Sequence, residues 1–284
     1  MASPVVDGNK ALEQVSDFIE ISPRHSGSKG AELAAEYIFT KLAELGFEAE
    51  IDEFSDATPI GELTFRNVTG VKKGLGKTWI ILGSHYDGKS GMPESFTGAN
   101  DSGSSTGLLI ELAKVLKDYP ALHQNLLFAF FDGEECINKY GPKDGLHGSK
   151  RMVKVLQENG ILEETEAVIV IDMIGDSDLN VTMPPNSTSA LIAEIFKAAH
   201  QVDKRSFFSL NKMPILDDHR PFYEAGIPTV LLIDFKYGSA PDRNDYWHTG
   251  EDTIDKLSAE SLETVGNVVL QTLVNLSEKA KGLQ

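Results

Sequence analysis

The sequence predicts an α/β fold in which a sheet is covered by helices on both faces. Three observations carry that reading. Short apolar runs of strand length, among them Trp79 to Gly83, Leu126 to Phe130 and Ala167 to Ile171, recur along the chain. They alternate with stretches of helical periodicity, which is the pattern of a sheet with helices on either side. Polar residues, namely His85, Glu134, Glu135 and Asp172, stand at or just after the ends of these runs. In such sheets ligands bind outside the carboxyl ends of the strands.

Taken in order, residues 8–22 predict a first helix, with Leu12, Val15, Phe18 and Ile19 on one side. Residues 29–45 predict a second, and Gly46 sits where a helix stop is expected. Strands are expected near 47–54 and 65–72, with Ile60-Gly61-Glu62 in the connection. The buried strand from Trp79 runs into Ser84-His85-Tyr86-Asp87. A loop containing Gly88, Gly91 and Pro93 leads to Asn100-Asp101-Ser102-Gly103 and a helix to about 117. A strand at 125–131 follows, then a helix near 149–158, a strand ending at Asp172, a helix near 187–201 and a strand at 227–233. The last helix starts after Ser258, a plausible N-cap, and lines up Leu262, Val265, Val269, Leu273 and Leu276.

No repeat, low-complexity tract or long linker divides the 284 residues, so one domain spanning 1–284 is expected. A composition of 41% hydrophobic and 24% charged residues is that of a globular chain with a sizeable core. The net charge of -17 repels phosphate backbones and argues against a nucleic-acid partner. The single cysteine, Cys136, excludes an internal disulfide. No apolar run approaches the roughly 18 residues of a membrane span. The start, Met1-Ala2-Ser3-Pro4, has neither the basic nor the apolar region of a signal peptide, which fits a cytoplasmic chain or an exported one without its leader. Asn67, Asn180 and Asn186 begin Asn-x-Ser/Thr triplets that have meaning only in a glycosylating pathway.

The chemistry centres on Phe131-Asp132-Gly133-Glu134-Glu135. Two adjacent glutamates after a buried strand are costly to desolvate unless something positive holds them. A metal answers this: one glutamate binds it while the other handles a proton of a metal-bound water. The remaining donors are at hand. His85 and Asp87 form a His-x-Asp pair, in which the carboxylate can orient the imidazole. Asp101 precedes a helix and is either a ligand or an N-cap. Asp172 closes an apolar run, where an unpaired acid is expensive, and His248 lies in the loop after the last strand. Two imidazoles, three ligand carboxylates and a spare glutamate suit zinc, with one carboxylate bridging two ions.

These motifs, together with Gly148-Ser149, Asp217-Asp218-His219 and Trp247-His248-Thr249, resemble those of the co-catalytic zinc aminopeptidases and their relatives, the zinc-dependent glutaminyl cyclases. The resemblance runs from about Ile80 to Leu276. It implies a three-layer α/β/α sandwich around a mostly parallel mixed sheet. It also implies that Asp101 bridges two zinc ions, that Glu135 and His248 complete one site, and that His85 and Asp172 complete the other. Glu134 is then the general base and Asp87 the partner of His85. Trp247, Tyr140, Asp217, Asp218 and His219 are the implied substrate-binding residues. Zinc carboxypeptidases and dipeptidases share the ligand order but carry an inserted dimerisation domain, for which there is no room between Glu135 and His248.

Within the family the residues point two ways. Trp247 before His248, the Asp217-Asp218-His219-Arg220-Pro221-Phe222 run and the long Cys136–Leu146 insertion resemble the cyclases. Tyr140 and Leu231 stand where animal cyclases have tryptophan and histidine. The expected function is a zinc aminopeptidase that removes N-terminal residues from peptides through a metal-bound water, with two ions. The alternative is a glutaminyl-peptide cyclotransferase, for which one ion suffices. A non-catalytic binding module is the remote third reading, opposed by the intact ligands and Glu134.

Overall fold

In a computed structural model, which describes residues 5–282, four parallel strands form the middle of an eight-stranded sheet. They are β3 (Trp79–His85), β4 (Asn125–Phe131), β5 (Thr165–Asp172) and β8 (Thr229–Ile233). Their order is β4-β3-β5-β8, so all four carboxyl ends lie along one edge. A long antiparallel hairpin, β1 (Glu48–Thr58) and β2 (Gly61–Lys72), joins through β2 to β4. Two short strands, β6 (Val181–Met183) and β7 (Phe208–Leu210), extend the other side beyond β8. The sheet is therefore mixed with a parallel centre, as the family resemblance implies.

The helices are α1 (Gly8–Ile19), α2 (Lys29–Glu44), α3 (Ser105–Lys117), α4 (His147–Glu158), α5 (Ser189–Gln201), α6 (His219–Glu224) and α7 (Ala259–Gly282). Side chains alternate across a strand, so neighbouring residues report opposite faces. Ser84 of β3 bonds Ser105 at the start of α3 at 2.8 Å, and its partner on β4 is Phe130. The next residue of β4, Phe131, points the other way and packs on Phe222 of α6, 5.8 Å between ring centroids. The sheet is thus sandwiched between layers of helices, with α1, α3 and α7 packed together on one side and α4 against α6 on the other.

Most predicted elements are present, with informative shifts. The first helix stops at Ile19 rather than 22, with Glu20 as its C-cap, and Pro23 disfavours helical geometry at Ser22. Gly61 and Glu62 belong to β2 and not to the connection; only Pro59 and Ile60 separate the two strands. Ser258 does cap the last helix, its Oγ accepting from the Glu260 amide at 3.1 Å. The stretch Met1 to Pro4, read for a leader, lies outside the described residues. Asn67 is fully buried, donating to Gly148 O and accepting from the Asp132 amide, and so is closed to glycosylation.

Asp234, just past β8, is buried, and its oxygens accept from the amides of Asn180 and Lys236. Burial, opposed by those two bonds, pushes its pKa up to about 7. A carboxyl raised in this way stabilises the fold at low pH, and the gain disappears as pH rises through the folded value. The Asp234→Asn variant therefore gains relative to the parent between pH 5 and pH 8. The check is the difference in melting temperature between the two proteins at each pH. A difference that stays constant would mean that Asp234 ionises normally.

Candidate active site

The parallel centre delivers the predicted residues to one edge. His85 is the last residue of β3, Asp172 the last of β5, and the glutamate pair follows β4. Gly133 makes the turn that brings the pair inward. It has φ +73°, and a Cβ there would stand 2.6 Å from a Phe65 ring carbon. The turn is fixed by Asp87, whose Oδ1 accepts from the Glu134 amide (3.1 Å) and Oδ2 from the Glu135 amide (3.2 Å). Ser26 also donates to Oδ2 at 3.2 Å. This revises the role expected of Asp87. It does lie beside His85, but its Oδ1 is 3.5 Å from Nδ1, which is long for a hydrogen bond.

Two donor clusters share Asp101. In one, His85 Nε2 is 3.1 Å from Asp101 Oδ1 and 3.2 Å from Asp172 Oδ1. In the other, His248 Nε2 is 2.7 Å from Glu135 Oε1 and 3.2 Å from Asp101 Oδ2. Within each cluster the donor atoms lie within 4.8 Å of one another. An imidazole N–H donates to one acceptor, yet each Nε2 here faces two carboxylates. That crowding of buried acceptors around a nitrogen is what a cation relieves, and the His/Asp/Glu donor set fits one or two zinc ions.

Asp101 is not an N-cap. It lies in a π-helical turn, Ala99–Ser104, with non-helical angles (φ -105°, ψ 91°), and α3 begins only at Ser105. The amides of Asn100 and Asp101 are taken by Asp252 at 2.7 and 3.2 Å, and the Asp101 carboxylate turns to the two histidines. Trp247 Nε1 donates to Asp101 Oδ2 at 2.9 Å. Burial alone would raise the Asp101 pKa, but bonds from His248 and His85 outweigh it and hold Asp101 well below the usual carboxylate range. Burial lowers the His85 pKa, and contacts with Asp101 and Asp172 reverse this and raise it.

Glu134 belongs to neither cluster and faces a cavity of about 250 Å³. Tyr140 OH lies 2.9 Å from both of its oxygens and donates to the carboxyl. Burial, aided by Glu135, Asp217 and Asp218 against the pull of His85, raises the Glu134 pKa well above its ordinary value. A carboxyl that holds its proton more tightly than usual, beside two metal-ligand clusters, is placed to carry protons. Trp247, Tyr140 and Asp217 line the cavity. Asp218 and His219 do not: both are fully buried behind it, His219 as the first residue of α6.

Several residues at the site escaped the sequence reading. Arg24 is buried and donates to the carbonyls of Tyr86 (3.0 Å), Thr97 (2.6 Å) and Gly98 (2.7 Å). It thereby ties the His85-Tyr86-Asp87 loop to the segment that carries Asp101. Desolvation, opposed by Asp252, Asp101 and Asp87, brings its pKa down to about 10. Lys89 Nζ stands 3.2 Å from the second oxygen of Glu135. Phe235 meets Trp247 edge-on at 5.0 Å, and Trp247 stacks on His248 at 3.9 Å. Lys89 and Asp252 lie within four residues of predicted ligand motifs, a signal that was available. Arg24 and Phe235 carried none.

An α/β/α sandwich with two carboxylate–histidine clusters at the carboxyl ends of its central strands defines a zinc-exopeptidase-type protein. Residues 67–273 match the model of Peptidase family M28, and the chain belongs to that family. It is 32% identical to a structurally characterised glutaminyl cyclase from an Acidobacteriales bacterium, with a TM-score of 0.90 over 98% of this chain and 97% of that one. It is 28% identical to the glutaminyl-peptide cyclotransferase of Drosophila melanogaster over 89% of this chain and 78% of the relative. A Zn-dependent exopeptidase from Parabacteroides distasonis, 22% identical, shares the fold with a TM-score of 0.85 over 96% of this chain and 100% of that one. The zinc site suits either aminopeptidase or cyclase chemistry, and the similar structures favour the cyclase, the alternative of the two expectations. Among the described residues no helix is long and apolar enough to cross a membrane.

Proposed function

We propose that the protein is a glutaminyl-peptide cyclotransferase, converting an N-terminal glutamine to pyroglutamate with release of ammonia. The observation that carries this reading is the likeness to the Acidobacteriales cyclase over nearly the whole chain. The cavity supports it physically. Its walls set Ile215, Leu216, Ile233, Phe235 and Trp247 opposite the carboxylates Asp101, Glu134, Glu135, Asp172 and Asp217. A glutamine side chain seated against the apolar walls would displace water there and favour attack by the substrate's own amine over hydrolysis.

Asp101, Glu135 and His248 would hold a zinc ion that polarises the glutamine side-chain carbonyl as a Lewis acid. The chain's own residues do the rest. Trp247, fixed by its bond to Asp101, and Phe235 wall the glutamine side chain so that its carbonyl faces the ligand cluster and its α-amine faces Glu134. As the α-nitrogen bonds to the side-chain carbonyl carbon, Glu134 takes the proton that nitrogen sheds. Glu134 then delivers a proton to the departing amide nitrogen, which leaves as ammonia when its C–N bond breaks. Burial raises the Tyr140 pKa, helped by the Glu134 charge, so its hydroxyl stays a donor that steadies the carboxyl through both transfers. In this chain that hydroxyl stands in place of the tryptophan of animal cyclases. Leu231, where those enzymes have histidine, is buried inside β8 and away from the cavity.

A second cluster, His85 with Asp101 and Asp172, is also complete, so the aminopeptidase reading is tested beside the cyclase. The test is ammonia release by zinc-loaded protein from peptides beginning with Gln, Asn or Leu. The cyclase releases ammonia from the Gln peptide alone. Free leucine from the Leu peptide, without ammonia from the Gln peptide, would overturn the proposal.

A further inference from the structure

The site cavity, at about 250 Å³, is smaller than the roughly 300–1,000 Å³ of pockets that enclose a whole drug-sized ligand. It holds a terminal residue, and the peptide that follows must lie elsewhere. A groove of about 340 Å³ runs between the loop that carries Tyr140 and helix α6, and it shares Tyr140 and Leu216 with the site. We infer that this groove binds the substrate beyond its first residue and selects an apolar side chain at the second position. The inference rests on the reading of the site as one for peptide N-termini.

The groove's charged groups are already hydrogen-bonded within the protein. The Asp144 carboxylate accepts from the amides of Ile137 (2.5 Å), Asn138 and Lys139 (both 2.9 Å). Lys150 Nζ donates to the carbonyls of Gly141 (3.1 Å) and Gly145 (2.8 Å). Arg220 pairs with Glu224 at 2.6 Å. The surfaces left for a ligand are apolar: Pro142, Leu146, Leu216 and Pro221. The same bonds hold the loop in shape before a substrate arrives, so little ordering is required on binding. Tyr140 joins the two compartments. Its hydroxyl holds Glu134, and its ring lies between the reacting end of the substrate and the groove.

Gly141 offers a clean test. It lines the groove, its φ is not positive, and a Cβ added there would meet only Lys139 O, at 3.8 Å. The Gly141→Phe variant therefore narrows the groove without straining the backbone. The readout is kcat/KM for Gln-Phe-amide divided by that for Gln-amide. The expected result is a drop of about tenfold in this ratio, the scale of losing apolar contact in a pocket, with Gln-amide turnover kept. A second variant, Pro142→Glu, places a carboxylate on the exposed wall and should shift the preference from Gln-Phe-amide towards Gln-Lys-amide. Ratios that match the parent protein in both variants would overturn the inference. Failure of the cyclase reading looks different: Leu-amide substrates are turned over in place of Gln-amide ones, and the same ratios are then read on the Leu series.

Discussion

The Glu134→Gln variant keeps its zinc and loses at least about 100-fold in turnover, the usual scale for removing a general acid–base group. The reasoning is geometric. Glu134 is in neither donor cluster, so the substitution removes no ligand. Glutamine has the same shape and still accepts from Tyr140 OH, now 2.9 Å from both oxygens. What it cannot do is take up and return a proton during the reaction. Steady-state rates alongside metal content by elemental analysis check this. Near-normal turnover with zinc bound would mean that another group carries the proton.

Chelation is expected to have the second large effect. Removing zinc should abolish activity, and adding it back should restore activity. It should also lower the melting temperature. Asp101, Glu135 and Asp172 are buried and converge on the two histidines, with Glu134 and Asp217 lining the same cavity. A ligand bound only by the folded state stabilises it by about 4 kcal/mol at a thousand times its Kd. Calorimetry with and without zinc reads the shift, and the titration end point reads whether one or both clusters fill. Full activity and an unchanged melting temperature after complete metal removal would contradict the zinc account.

The central strands were legible because each is a continuous apolar run ended by a polar residue, as at Leu126–Phe130 before the glutamate pair. The elements that escaped are those too short for periodicity to register. Val181–Met183, Phe208–Leu210 and His219–Glu224 span three to six residues each. The candidate ligands Glu135 and Asp172 stand out for a related reason: a buried strand end is an expensive place for a carboxylate. Arg24 was not, since nothing local says that a cation will be buried against three carbonyls contributed by residues 86–98. Asp101 was ambiguous in sequence because a helix follows it. In the fold the helix begins only at Ser105, and the Asp101 carboxylate turns to His85 and His248.

The choice between peptidase and cyclase was hardest to read because both chemistries use the same ligands and the same glutamate. The proposed cyclase reading looks instead to the wall of the cavity. That wall is assembled from Tyr140, the Ile215–Leu216 segment, Phe235 and Trp247, four pieces of chain whose convergence is a property of the fold. Tyr140 in particular reads as a departure from animal cyclases in sequence. In three dimensions it holds the glutamate that the cyclase mechanism needs.

The most direct measurement follows one peptide that can undergo either reaction, Gln-Leu-Phe-amide, incubated with zinc-loaded protein and weighed by mass spectrometry over time. The cyclase account predicts a single product that has lost ammonia and kept all three residues. Free glutamine together with Leu-Phe-amide would contradict it and establish the aminopeptidase instead.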